Sequence, residues 1–157
     1  MNFARHNEDL RILTSREEMA RARFGLAPAW TGVDWKPQQH GGNMIYLRQM
    51  VLPPICSRRR TDVKIEAPPN LYEAAGGGNC HFYRNIWVAP GLEVWDSRTK
   101  SWAAFPRLFT EAGNDGFAYL CIHPRRASEK ETILDFIRIL DLHLLNPGLH
   151  ATTGEAR

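Results

Sequence analysis

The feature that most constrains the fold is an apolar stripe near the C-terminal end of the sequence. Apolar residues recur there at i, i+3, i+4, i+7 and i+11, namely Ile133, Phe136, Ile137, Leu140 and Leu144. Ser128 and Glu131 precede the stripe at the spacing of a capping box, and Asn146-Pro147-Gly148 follows it as a stop signal. This pattern predicts a helix that begins at Ser128 and packs one face against a larger structure.

The middle of the chain is typical of β-strands separated by proline and glycine. Residues 61–67 alternate between apolar and polar, which places Val63, Ile65 and Ala67 on one face, as in a half-buried antiparallel strand. β-branched and aromatic residues favour further strands at 31–35, 44–52 and 81–88. Residues 70–79 contain three consecutive glycines and are expected to form a loop. A small hairpin is predicted to join 92–95 to 102–105.

An amphipathic helix is predicted near the N-terminal end. The segment Thr14-Ser-Arg-Glu-Glu18 contains two overlapping capping-box starts, and Gly25 has the position of a C-terminal cap. The alternative is an earlier turn of the same helix that includes Leu10, Ile12 and Leu13. The order is thus a helix, a meander of about four strands, a long irregular segment and a second helix. It predicts an α+β domain whose antiparallel sheet is covered on one face by helices. We expect one domain over residues 1–157, with a flexible tail after about residue 149.

Composition excludes several classes of function. The formal charge is only +3, too small to indicate nucleic-acid binding, and the basic runs at 58–60 and 125–126 are typical of solvated loops or of a partner-docking patch. No segment approaches the roughly 18 apolar residues of a membrane span. The N-terminal residues also lack the hydrophobic core of a signal peptide. We therefore expect a cytoplasmic protein that binds neither nucleic acid nor membrane.

One cysteine lies at the junction between two predicted elements. The run Gly116-Phe-Ala-Tyr-Leu-Cys-Ile-His-Pro124 is extended and apolar, and it carries Cys121 and His123 just before the C-terminal helix. Residues two apart on an extended chain share one face and lie roughly 6.5–7 Å apart. The thiol and the imidazole are therefore expected on the same side, where the imidazole is able to act as a base towards the thiol. The alternative is a thiol that packs as a small apolar group.

The other two cysteines have weaker settings. Cys80 precedes His81 after the glycines at 76–78, but neighbours on a strand point in opposite directions, and no Gly-Lys-Ser/Thr completes a phosphate-binding loop. Cys56 has no recognisable partner. Three cysteines at these spacings match neither a disulfide framework nor a zinc site, so we expect reduced thiols, no metal and no cofactor. The five tryptophans lack the interleaved Lys and Arg of a base-stacking platform and are expected to pack in the core and loops.

The order of the predicted elements matches a known arrangement. After the helix and the meander comes a proline-rich exit, Ala67-Pro-Pro-Asn-Leu-Tyr72, then a long irregular stretch that ends in a cysteine, and finally a capped helix that ends in Leu144-Leu-Asn-Pro147. From residue 8 to residue 149 the chain resembles the ubiquitin-conjugating enzyme fold, and specifically its divergent bacterial members. It departs from the eukaryotic members in lacking the His-Pro-Asn motif upstream of the cysteine and the additional C-terminal helices, and it resembles the divergent bacterial members in lacking that asparagine.

The resemblance implies a function for this cysteine. Cys121 would accept a ubiquitin-like modifier by transthiolation from an adenylating activating enzyme and pass it to an amine of a protein substrate. Divergent bacterial members place a histidine shortly after the cysteine, so His123 takes the role of stabilising the oxyanion or steering the amine. Asn114 lies about as far upstream of Cys121 as the asparagine of the missing motif lies from the cysteine in the family. The N-terminal helix is the expected docking face for the activating enzyme. The arginines expected to be exposed on it are Arg16, Arg21 and Arg23.

Two other classes of function stay open at this point. One is a non-catalytic adaptor on the same fold, in which Cys121 is only packed. The other is an unrelated cysteine hydrolase or acyltransferase that uses Cys121 with His123, or Cys80 with a distant histidine.

Overall fold

The computed structural model describes residues 1–24, 29–111, 113–122 and 127–148, with side chains in all of these ranges except 16–24. These ranges contain two helices, α1 (Phe3–Phe24) and α2 (Ile133–Leu145). Their strands, in chain order, are β1 (Gly32–Pro37), β2 (Asn43–Val51), β3 (Arg60–Ala67), β4 (Ala74–Gly76), β5 (Asn79–Cys80), β6 (Arg84–Val88), β7 (Glu93–Asp96), β8 (Ser101–Ala104), β9 (Leu108–Thr110), β10 (Ala118–Leu120) and β11 (Ala127–Ser128). No helix in the described ranges is both long enough and apolar enough to cross a membrane.

Six strands form the main sheet in the order β1-β2-β3-β6-β10-β9, and every neighbouring pair is antiparallel. The register aligns one buried apolar row across four strands, made of Ile45, Ile65, Ile86 and Leu120. The next row points to the opposite side and consists of Tyr46, Lys64, Trp87, Tyr119 and Phe109. We call the face that carries this second row the outer face.

Both helices pack into the buried cluster that contains the apolar row. The whole predicted stripe of α2 is buried there, and α1 contributes Leu10 and Leu13. Val63, Ile65 and Ala67, which the alternation places on one face, are each at most 1% exposed. The prediction of an α+β fold with an N-terminal helix, a mostly antiparallel sheet and a C-terminal helix is therefore confirmed.

The predicted number of about four strands is wrong, because the main sheet alone has six. The meander β1-β2-β3-β6 corresponds to the four strands expected, and β10 and β9 extend it. β9 is only three residues long, too short to show alternation. Residues 70–79, expected to be a loop, contain β4 and one residue of β5, which pair across three glycines with positive φ. Glycine is normally read as a strand breaker, but in a tight turn it allows the hairpin to close.

The predicted start of the first helix is also wrong. α1 begins at Phe3, eleven residues before Thr14, and Asn2 caps it by accepting a hydrogen bond from the backbone N–H of Arg5 over 3.3 Å. Thr14 instead donates its hydroxyl to the carbonyl of Leu10 over 3.1 Å, inside the helix. A Thr hydroxyl bonded one turn back in this way does not mark a helix start. Gly25 and the tail after residue 149 lie outside the described residues.

α2 begins five residues later than predicted. Its N-cap is Thr132, which forms a capping box with Asp135. Ser128 and Glu131 do form reciprocal bonds, from Ser128 N to Glu131 Oε2 over 2.6 Å and from Glu131 N to Ser128 O over 3.2 Å. They close a turn between β11 and the helix. The same four-residue pattern thus occurs twice in succession, and only the second copy opens a helix.

Candidate functional site

Cys121 lies immediately after β10, where the chain leaves the main sheet. Its backbone N–H still donates to the carbonyl of Arg107 over 2.9 Å, which continues the pairing of β10 with β9 by one residue. The next backbone N–H, of Ile122, donates back to the carbonyl of Leu120 over 2.9 Å. A bond between residues two apart closes a three-residue turn, so the chain bends sharply at Cys121. The thiol is carried at the apex of that bend.

The three cysteines differ in their access to solvent. Cys56 and Cys80 are buried, at 6% and 4% exposure, whereas Cys121 is only half-buried. Burial raises the pKa of the Cys56 thiol. Cys80 Sγ lies 3.6 Å from the carbonyl oxygen of Ser128, between β5 and β11. Cys121 is therefore the cysteine best placed to meet another molecule.

Tyr119 lies beside Cys121 on the outer face, two residues earlier in the extended chain. Its ring centroid is 5.8 Å from that of Trp87, and its hydroxyl donates to Asn85 Oδ1 over 3.4 Å. Burial raises the pKa of Tyr119, and negative charge on Cys121 and on Glu111 raises it further. The tyrosine hydroxyl is therefore close enough to respond to a thiolate at Cys121.

Asn85 is brought to the same strand end by the register. The pairing of β10 with β6 ends at Leu120 and Ile86, and Cys121 and Asn85 are the next residues of the two strands. Its backbone is left-handed, with φ of 55°, a conformation that asparagine tolerates better than most residues. Its Nδ2 donates to Glu66 Oε2 over 2.7 Å. Sequence reasoning missed Asn85, because its only signal is a polar residue that follows Arg84 in an otherwise aromatic and β-branched strand.

Asn114 holds a turn onto the outer face. Its Oδ1 accepts a hydrogen bond from Lys64 Nζ, and its Nδ2 donates to Glu111 over 2.7 Å. Lys64 is only 4% exposed, with Nζ 4.7 Å from the ring centroid of Trp87 and 4.9 Å from that of Phe117. Burial lowers the pKa of Lys64. Both polar ends of the Asn114 side chain thus serve to fix this turn over the sheet.

A buried carboxylate fastens α1 to the sheet and to α2. Asp9 Oδ2 accepts hydrogen bonds from the hydroxyls of Tyr72 and Tyr83, the second over 2.6 Å. Its Oδ1 accepts from the backbone N–H of Ile133, the first residue of α2, over 3.4 Å. Burial raises the pKa of Asp9, although these three hydrogen bonds act in the opposite direction. The carboxylate also lies at the positive end of the α2 dipole, which favours its charge.

His6 extends this network towards the β2 end of the sheet. Because the Tyr83 hydroxyl donates to Asp9, His6 Nδ1 carries the proton and donates to the Tyr83 oxygen over 3.0 Å. His6 Nε2 then accepts from Asn43 Nδ2 over 2.7 Å. Burial lowers the pKa of His6, against the effect of the Asp9 charge. The histidine is therefore neutral, with both ring nitrogens bonded.

Two sets of predicted site residues lie where the structure gives no side-chain description. His123 is outside the described residues, as are the side chains of Arg16, Arg21 and Arg23. The pairing of Cys121 with His123 and the docking role of the α1 arginines remain predictions.

No family model matches the chain, and neither a curated protein nor a solved structure matches it. The function is therefore inferred from the site itself and from the order of elements.

Proposed function

We propose that the chain conjugates a ubiquitin-like modifier, which it carries as a thioester on Cys121. The observation that carries the proposal is the position of this thiol. It is half-buried at a sharp bend between β10 and the segment that leads to α2, whereas the other two thiols are buried. A cysteine that accepts and passes on an acyl group needs access from outside and a fixed backbone, and Cys121 has both.

The reaction on Cys121 would have two steps. The thiolate attacks the carbonyl of the thioester that joins the modifier to its activating enzyme, the thiol of that enzyme leaves, and a new thioester forms on Cys121. An amine of the substrate then attacks this carbonyl, an amide bond forms, and the Cys121 thiolate leaves. Both tetrahedral intermediates carry an oxyanion that a nearby hydrogen-bond donor would stabilise.

Three residues are candidates for the hydrogen-bond donor that would stabilise this oxyanion. His123 is the candidate from the resemblance, and Asn114 is the second. Both asparagines donate Nδ2 to a carboxylate, but Asn85 adjoins the strand end that carries Cys121, whereas Asn114 is bonded to Lys64 over the sheet. We therefore expect Asn85→Ala to slow the transfer to amine more than Asn114→Ala does, provided that both variants remain folded.

The proposed docking element for the activating enzyme is α1. The part of this helix that contains His6 and Asp9 is fixed to the sheet and to α2 by the buried hydrogen bonds described above. Because this part of the helix is fixed, the rest of the helix would keep a constant orientation towards an approaching enzyme. The arginines predicted to make the contact are in the half of α1 whose side chains are not described.

The test is a loading reaction with ATP, a ubiquitin-like modifier and the adenylating enzyme that activates it, followed by non-reducing electrophoresis. We expect an adduct that thiols remove, and Cys121→Ser should convert it to a thiol-resistant ester. Cys80→Ser is the matched control and should load like the wild type, because Cys80 is buried. A slower loading or discharge by His123→Ala would place His123 in the mechanism, and unchanged rates in both steps would remove it.

Two other outcomes would replace the proposal. If no adduct forms and iodoacetamide leaves Cys121 unmodified, the chain is a non-catalytic adaptor. If the chain alone hydrolyses small thioesters, and Cys121→Ser abolishes this, it is a cysteine hydrolase.

A further inference from the structure

The β7–β8 hairpin projects a strand with one open edge. On its inner side β7 is bonded to residues 55–57, through Trp95 N to Ile55 O over 2.8 Å and Ser57 N to Glu93 O over 2.9 Å. On its other side β7 pairs with β8, with Trp95 opposite Trp102 and Glu93 opposite Ala104. Among the described residues, β8 pairs with no strand other than β7.

The bonds of β7 determine which groups of β8 face outwards. Since Trp95 and Glu93 direct backbone groups to residues 55–57, their partners Trp102 and Ala104 direct theirs to the opposite edge. No hydrogen bond joins these outward groups to another described residue. Ser101, Trp102 and Ala104 are also exposed, so this edge of β8 is uncovered. An uncovered edge is a template for a further strand.

Two tryptophans form an apolar surface beside that edge. Trp95 and Trp102 lie directly opposite each other, so their side chains share one face of the hairpin. Their ring centroids are 5.3 Å apart at an angle of 72°, and the residues are 42% and 46% exposed. The pair stabilises the hairpin by contact between the rings, but about half of each ring surface remains open to solvent. Exposed tryptophans flanked by arginine are common at the centres of protein interfaces.

The positive charge of the chain is concentrated around this hairpin. Residues 55–60 and 90–107 contain six basic and two acidic residues, a net charge of +4, compared with +3 for the whole chain. Arg58 is fixed next to the hairpin by its bond to Pro90 O over 2.9 Å. Arg98 Nε at the hairpin turn lies 3.8 Å from Asp96 Oδ1, but the Arg98 side chain is still 91% exposed, and Lys100 is exposed as well. A ligand at this edge would therefore gain from carrying negative charge.

We propose that β8 binds an extended, acidic segment of a partner polypeptide, which adds to its open edge as a further strand. Main-chain hydrogen bonds to Trp102 and Ala104 set the register, an apolar side chain covers the tryptophan pair, and carboxylates face Arg98 and Lys100. A single-stranded nucleic acid would use the rings and the charges but has no alternating N–H and C=O groups to continue the ladder. The proposal uses the open edge of β8, the tryptophan pair, Arg98 and Lys100, none of which the conjugating function uses, so it does not depend on that function.

The test is fluorescence anisotropy with a labelled eight-residue peptide of alternating glutamate and valine, at low ionic strength. We expect saturable binding that weakens about tenfold in the Arg98→Glu/Lys100→Glu variant. Ala104→Pro removes one outward N–H without breaking a bond between β7 and β8, because proline is tolerated at an edge position, and it should also weaken binding about tenfold. Trp35→Thr is the matched control, since Trp35 is an exposed tryptophan on the edge strand β1, and it should bind like the wild type.

Three results would overturn the proposal. One is saturable binding that neither the charge reversal nor Ala104→Pro changes. A second is undiminished binding of two peptides of the same sequence, one methylated at the odd and one at the even backbone nitrogens. Peptides methylated in this way cannot complete the ladder of hydrogen bonds. The third is that the peptide does not bind, or that it binds less tightly than a twelve-residue oligothymidine. Tighter binding of the oligothymidine would assign the surface to nucleic acid.

Discussion

Replacing Tyr83 with phenylalanine removes a single buried oxygen and should cost a large part of the stability of the protein. Tyr83 is 1% exposed, and its hydroxyl donates to Asp9 over 2.6 Å while accepting the His6 Nδ1 proton over 3.0 Å. A hydrogen bond to a charged group contributes about 1.5–3 kcal/mol, and a buried donor left without an acceptor costs about 1–3 kcal/mol. Since the site relaxes in part, we expect a total loss of about 3 kcal/mol.

Urea unfolding followed by tryptophan fluorescence measures this loss. With a slope of about 2 kcal/mol per molar urea, the midpoint should fall by about 1.5 M. Tyr119→Phe is the matched control, because its hydroxyl makes a single bond of 3.4 Å at a half-buried position, and it should cost less than about 1 kcal/mol. If the two variants unfold at the same urea concentration, the buried network does not stabilise the protein as inferred here.

Three further predictions concern other groups. The wild type should lose stability as the pH falls below 6.5, the ordinary pKa of histidine, because the unfolded state binds a proton at His6 before the folded state does. The free energy of unfolding should fall by at most about 1.4 kcal/mol per pH unit. For His6→Gln, unfolding curves between about pH 7 and 5 should show a weaker dependence of this free energy on pH. The same pH dependence in His6→Gln and in the wild type would mean that His6 is not held neutral. A double-mutant cycle of Lys64→Met with Asn114→Ala should give a coupling of about 1 kcal/mol in urea unfolding. A coupling near zero would contradict a stabilising hydrogen bond between Lys64 and Asn114. Iodoacetamide should alkylate Cys121 at least about tenfold faster than the two buried cysteines, as measured by mass spectrometry of the intact fold, and faster reaction of either buried thiol would refute the assigned accessibility.

The sequence predicted those elements whose pattern is local. The apolar stripe of α2 and the alternation in β3 depend on residues within one element, and both lie on the buried side as expected. The hairpin at 92–105 was also predicted, and the structure has β7 and β8 there. The α2 stripe and the β3 alternation each have a period that only one secondary structure satisfies.

The features that were missed depend on distant parts of the chain. Lys64 occupies the polar side of β3 and looks solvent-exposed in the sequence, but a turn fifty residues away covers it. His6 and Asp9 precede the predicted helix start and look like ordinary surface polar residues, but their partners are 37 to 124 residues distant. No local pattern records such pairings, because they form only when the elements have packed.

The bond from Ile133 to Asp9 has a consequence for how the chain folds. It closes a loop of 124 residues, and the entropy cost of that closure opposes early contact between the first helix and the start of the last one. Contacts of such long range are expected to be absent from the folding transition state. Substitutions at Asp9 should therefore speed unfolding and leave the folding rate almost unchanged, so that the network acts mainly on the lifetime of the native state.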